Sequence, residues 1–116
     1  MLTESRTINV LGTDIRVLFK KEAEDPKLKN MVGYFDGSKS LIVVKILEPD
    51  ENSLGDLDKY QLEILRHEII HAFLHESGLD ACTGTADSWA TNEEMVDWFA
   101  IQSPKIFKVF REQKLV

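Results

Sequence analysis

The spacing of apolar positions changes character near Pro49. Before it, "TINVLGTDIRVLF" holds two β-rich runs, residues 7–11 and 14–19, on either side of Gly12-Thr13, and "MVGYFDGSKSLIVVKI" repeats the arrangement around Asp36-Gly37. Two hairpins, or a meander of about four strands, are the expectation. The stretch between them, "KKEAEDPKLKN", is polar and broken by Pro26, so it reads as a loop with at most a helical turn.

Beyond Pro49 the period becomes helical. Asp56 suits an N-cap, and Leu57, Tyr60, Ile64, Leu65, Ile69, Phe73 and Leu74 recur at three- and four-residue steps until Gly78 offers a stop. That is about 21 residues, or roughly 31 Å of helix. Its apolar positions cover most of the circumference and leave Lys59, Glu63 and Arg66 as a narrow polar stripe, which predicts a central helix. After the loop "LDACTGTADSWA", the segment "TNEEMVDWFAIQ" reads as a second helix, with Thr91 and Glu94 in capping-box spacing. Ser103-Pro104 then opens a short last helix that turns Ile106, Phe107, Val109 and Phe110 inward. Strands followed by helices predict an α+β fold, a central helix packed on one face of an antiparallel sheet.

Composition narrows the class. A chain of 116 residues, 43% hydrophobic and 29% charged, is expected to be one soluble domain spanning residues 1–116, and no apolar run approaches the roughly 20 residues of a membrane span. The opening "MLTESRTINV" shows no secretory signal, so a cytoplasmic location is expected. A net charge of −6 argues against a nucleic-acid partner, because phosphate contacts need clustered cations. The acidic run Glu48, Asp50, Glu51, Asp56 and Asp58 reads as a solvated lead into the helix N-terminus, and Lys105, Lys108, Arg111 and Lys114 as the wet face of the last helix. The single cysteine, Cys82, excludes an intrachain disulfide and a multi-cysteine zinc site, and it reads as a free thiol. Any metal must therefore be held by histidine and carboxylate.

All three histidines lie in "RHEIIHAFLHE", residues 66–76. His67 and His71 are four apart, so on a helix their rings lie about 40° apart, one turn along, and reach the same point. Glu68, rotated about 100° from His67, approaches a water held there rather than joining the two rings. His-Glu-x-x-His thus supplies two neutral ligands and a general base. Catalytic zinc takes a third protein ligand, and Glu93 and Asp97 share one helical face a few turns downstream. Glu93 is preferred over Glu94, which the capping box already employs, and Asp97 would hydrogen-bond a ligand histidine. His75 lies about 12 Å beyond His67 along a straight helix, too far for one metal, and is read as a rim residue.

"HEIIH" followed by "NEEMVD" resembles the paired zinc motifs of the gluzincin metallopeptidases, His-Glu-x-x-His and then Asn-Glu-x-x-x-Asp on a second helix. The short chain, the strand-rich first half and "WFA" are similar to the compact ImmA/IrrE-type metallopeptidases and related proteins of phages and mobile elements. The resemblance implies Zn²⁺ on His67, His71 and Glu93, Glu68 as base, Asp97 supporting a ligand, and a peptide or regulatory protein as substrate. Larger gluzincins add a histidine or tyrosine after the third ligand, and none follows Glu93 here. Tyr60 lies roughly 10 Å from His67 along the helix, which leaves Tyr34 and His75 as candidates to contact substrate or the oxyanion. Two further readings stay open: a zinc-stabilised binding module without turnover, and a metal-free groove lined by histidines. The oligomeric state is not indicated.

Overall fold

The computed structural model describes residues 3–49, 55–82 and 89–116. Four strands come first, β1 (Arg6–Val10), β2 (Thr13–Lys20), β3 (Gly33–Asp36) and β4 (Leu41–Lys45), followed by helices α1 (Leu57–Glu76) and α2 (Glu93–Glu112). The class is α+β, as expected.

Both expected hairpins form, but the sheet is mixed rather than antiparallel. Its order is β1-β2-β4-β3, with β2 and β4 paired in parallel in the register Val17↔Ile42 and Phe19↔Val44. The cause is visible in β4. Leu41, Ile42, Val43 and Val44 are all buried, a continuous apolar run that suits a strand covered on both faces, whereas Gly33–Asp36 is short and only half-buried and takes the edge. The chain from β2 to β3 crosses the sheet through two 3₁₀ turns, Glu22–Glu24 and Pro26–Lys29. Leu28 from the second turn packs with Leu41 and Val43 on the face away from the helices. Alternation along the strands sends Val10, Ile15, Val17, Ile42 and Val44 to the other face, against Ile64, Leu65 and Ala72 of α1.

The first turn falls one residue earlier than expected. Leu11 and Gly12 both have positive φ, 51° and 94°, the pair of conformations a two-residue hairpin loop needs. Asn9 fixes it, accepting from Gly12 N at 3.1 Å and donating to Asp14 at 2.9 Å.

Helix α1 starts where expected, with the Asp56 carboxylate accepting from Lys59 N, and stops at Gly78, whose φ is 81°. In α2 the N-cap is Asn92, not Thr91; its side chain accepts from Met95 N at 2.8 Å. A separate last helix does not form. Helix α2 continues through Pro104 to Glu112, and Phe107, Val109 and Phe110 are exposed rather than turned inward. Contacts of α2 with α1 run in opposite directions along the two helices, Glu93 at His71, Asp97 at His67 and Ala100 at Arg66. The C-terminal end of α2 therefore runs past the start of α1.

Among the described residues, no helix is long and apolar enough to cross a membrane. Residues 50–54 of the acidic run, residues 83–88 of the loop before α2 and the Cys82 side chain lie outside the described part.

Candidate metal centre

Three turns of α1 carry the centre. His67 and His71 present their rings on one face, edge to face at 4.8 Å between centroids, with their Nε2 atoms 3.1 Å apart. Glu68 turns inward from the same turn and is only 6% exposed. What admits it is the missing side chain of Gly33. A Cβ there would stand 2.9 Å from Ile64 Cγ2, 3.0 Å from the Val43 carbonyl and 3.4 Å from Glu68 Oε2, so strand β3 lies against α1 just where the carboxyl sits.

Helix α2 closes the centre from the other side. The Glu93 carboxylate straddles the two rings, Oε2 at 3.0 Å from His67 Nε2 and Oε1 at 3.0 Å from His71 Nε2. One turn on, Asp97 Oδ1 lies 2.6 Å from His67 Nδ1. The Asn92 cap produces this arrangement by making Glu93 the first helical residue, with Asp97 four later on the same face. Glu94 points elsewhere, into a hollow shared with Trp89 and Trp98.

Burial sets the protonation of the inner groups. It pushes the Glu68 carboxyl up to about 7, an effect that His67 opposes and that the charges of Glu93 and Asp97 reinforce. Burial likewise lowers the pKa of His71, against the pull of Glu93, and so favours the neutral ring. The proton of neutral His67 belongs on Nδ1, where Asp97 accepts it, which leaves a lone pair on Nε2. Two imidazole lone pairs and a carboxylate then converge, a set that attracts a cation. Their mutual spacings of 3.0–3.1 Å are close to the roughly 3.3 Å between ligands placed 2.0–2.1 Å from zinc at tetrahedral angles. His67, Glu68 and His71 also offer ligand atoms within 4.8 Å of one another, a group that can hold a metal ion.

The two expected substrate or oxyanion contacts each have a partner of their own. The Tyr34 hydroxyl donates to Asp25, and the ring packs with Leu28, Leu41 and Val43 on the far face of the sheet, as alternation after Gly33 requires. That bond engages the hydroxyl, although Tyr34 also lines the cleft in which His67 and His71 lie. His75 is at the rim, its Nδ1 3.0 Å from Asp80 and its ring edge-on to Phe35. A Cβ at Gly37 would come 2.7 Å from His75 Nε2, so that glycine makes room for the ring. The roles of Gly33, Gly37, Asp80 and Arg66 were not legible in the sequence. Only Arg66 gave a signal, lying in the narrow polar stripe of an otherwise apolar helix.

The centre opens into a cleft of about 750 Å³ between α1, α2 and the edge strand β3. No protein-family model, curated protein or solved structure matches this chain.

Proposed function

We propose that the chain is a zinc-dependent peptidase of the gluzincin kind, similar to the compact ImmA/IrrE-type enzymes of phages and mobile elements, acting on a peptide or a regulatory protein. The observation that carries this reading is the Glu93 carboxylate set 3.0 Å from Nε2 of both His67 and His71, with Glu68 buried beside them. Two imidazoles and one carboxylate at near-tetrahedral spacing suit zinc better than magnesium or calcium, which prefer oxygen ligands. When bound there, zinc supplies a Lewis acid that draws the pKa of a water towards about 7.

The chain's own residues do the rest. Glu68 takes the proton of the attacking water and returns it to the leaving amine, a task suited to a carboxyl already raised to about 7. Asp97 holds the Nδ1 proton of His67 and with it the ring orientation. Strand β3 lines the cleft as a sheet edge, so an extended peptide can add to it through main-chain hydrogen bonds. Glu68→Gln should retain stoichiometric zinc and lose hydrolysis. Cleavage persisting in that variant would remove Glu68 as the base.

A second reading is a zinc-stabilised protein-binding module of a phage or mobile element. It is favoured by the engagement of Tyr34 with Asp25 and of His75 with Asp80, which leaves the oxyanion without an evident side-chain partner among the described residues. Absence of cleavage together with a fall in melting temperature on chelation would select it.

A further inference from the structure

Among the described residues, the cleft is lined by five carboxylates, Glu63, Glu68, Asp80, Glu93 and Asp97, and by no lysine or arginine. Four of the five are accounted for. Asp97 meets His67, Glu93 lies between His67 and His71, Asp80 meets His75, and Glu68 is buried beneath the rings. Glu63 has no hydrogen bond or ion pair among the described residues. The nearest cation in sequence, Arg66, is bonded to the Ala100 carbonyl.

Glu63 stands one helical turn before His67, about 6 Å along the α1 axis. It is half-buried. Tyr60, three residues earlier on the same helical face, and Ile101 also line the cleft and are 45% and 42% exposed. A carboxylate partly shielded from water, next to an aromatic ring and an aliphatic side chain, matches a lysine or arginine on each part of its length. The methylene stem covers Tyr60 and Ile101, the ring attracts the cation, and Glu63 pairs with it.

We propose that Glu63 determines specificity, selecting a peptide with a lysine or arginine adjacent to the bond presented at His67 and His71; the assignment rests on the peptidase reading above. The uncharged Tyr60 and Ile101 should also tolerate an apolar side chain there. The unneutralised carboxylate should reject an acidic one.

The test incubates zinc-loaded protein with a synthetic decapeptide mixture randomised at every position, with cut sites read by mass spectrometry. Lysine or arginine should exceed glutamate by about tenfold or more at one position flanking the cut. Glu63→Gln should erase most of that ratio and Glu63→Lys should invert it, both with zinc content and melting temperature held. A wild-type profile without basic preference, or one that survives Glu63→Gln, overturns the assignment. If nothing is cut, the peptidase reading fails separately, and calorimetry decides the subsite. Acetyl-Ala-Ala-Lys-Ala-Ala-amide and its norleucine counterpart are titrated into zinc-loaded Glu68→Gln protein. Tighter binding of the lysine peptide, lost on adding Glu63→Gln, keeps the subsite within a binding cleft. Equal or undetectable binding of the two peptides overturns it.

Discussion

The Arg66 guanidinium donates through Nε to the carbonyl oxygen of Ala100 at 2.5 Å. That oxygen is the one whose helical partner would be the N–H of residue 104, and residue 104 is proline. Arg66 replaces the missing donor and joins α1 to α2 one residue before His67. Removing it leaves a largely covered carbonyl without a partner, so Arg66→Ala should lower stability by about 2 kcal/mol in urea unfolding. Pro104→Ala restores the helical N–H. In that background the cost of Arg66→Ala should fall below about 1 kcal/mol, a coupling that a double-mutant cycle reads directly.

The two helices meet at the metal centre, and the distances there rank the expected losses of zinc affinity. Glu93→Ala removes the carboxylate that touches both rings and should weaken binding most. Asp97→Asn keeps the three converging atoms but disturbs the tautomer of His67, and should cost about 10- to 100-fold. Glu94→Ala, directed into another hollow, should leave affinity unchanged. Competition against a chromogenic chelator measures all three. An equal loss for Glu93→Ala and Glu94→Ala would contradict the placement of the α2 cap.

Periodicity and caps made α1 legible almost to the residue, because Asp56 and Gly78 are local signals for its two ends. The meeting of His67, His71, Glu93 and Asp97 followed from two four-residue spacings, which any straight helix converts into shared faces. The antiparallel expectation fails because hairpin signals are local, whereas the parallel pairing of β2 with β4 depends on which strand needs cover on both faces. The continuous apolar run "LIVV" at residues 41–44 carries that information, because it does not alternate. Pro104 suggests a boundary because its effect on the backbone is local, and the donor that offsets it, Arg66, lies 34 residues before the Ala100 carbonyl it satisfies.

The protonation of Glu68 links stability to pH in metal-free protein. Its folded pKa of about 7 lies above the ordinary 4.5, so the folded state holds the proton more tightly than the unfolded chain. That contribution is fully present below about pH 4.5 and is lost as pH rises through about 7. Its upper bound is about 3 kcal/mol, from the size of the shift. His71, with a lowered pKa, acts in the opposite direction by losing stability as pH falls. The comparison is therefore wild type minus Glu68→Gln in chelator, by thermal melts between pH 4.5 and 8. The wild type should lose ground relative to the variant as pH rises, and saturating zinc should abolish most of the trend by stabilising the carboxylate.

On the opposite face of the sheet, Tyr34 and Asp25 form a separate pair. The hydrogen bond from Tyr34, the largest influence, lowers the pKa of Asp25, while burial, followed by the bond to Asp25, raises that of Tyr34 to about 12. The lowered carboxyl stabilises the fold above its unfolded pKa of about 3.9, and the raised phenol does so below about 10. Tyr34→Phe should therefore be less stable than wild type across that window, with the difference shrinking towards either end. Its kcat/KM should match wild type if the hydroxyl stays with Asp25. A large loss of kcat with stability intact would return Tyr34 to the oxyanion.

Gly33 is where fold and chemistry press hardest on one position. A methyl group there meets the Ile64 side chain at 2.9 Å and the Val43 backbone at 3.0 Å, and neither can move without shifting β4 or α1. Gly33→Ala should cost about 1–3 kcal/mol as an overpacked contact. The same displacement pushes β3 away from Glu68, whose Oε2 lies 3.4 Å from the added carbon, and admits water to a carboxyl that burial keeps near 7. The Glu68 pKa should then fall towards its ordinary value, and the acidic limb of a kcat/KM profile should move to lower pH with it. Ile64→Val in the same chain removes the closest contact and should recover part of both effects. Recovery of stability without any return of the acidic limb would show that Gly33 acts on packing alone.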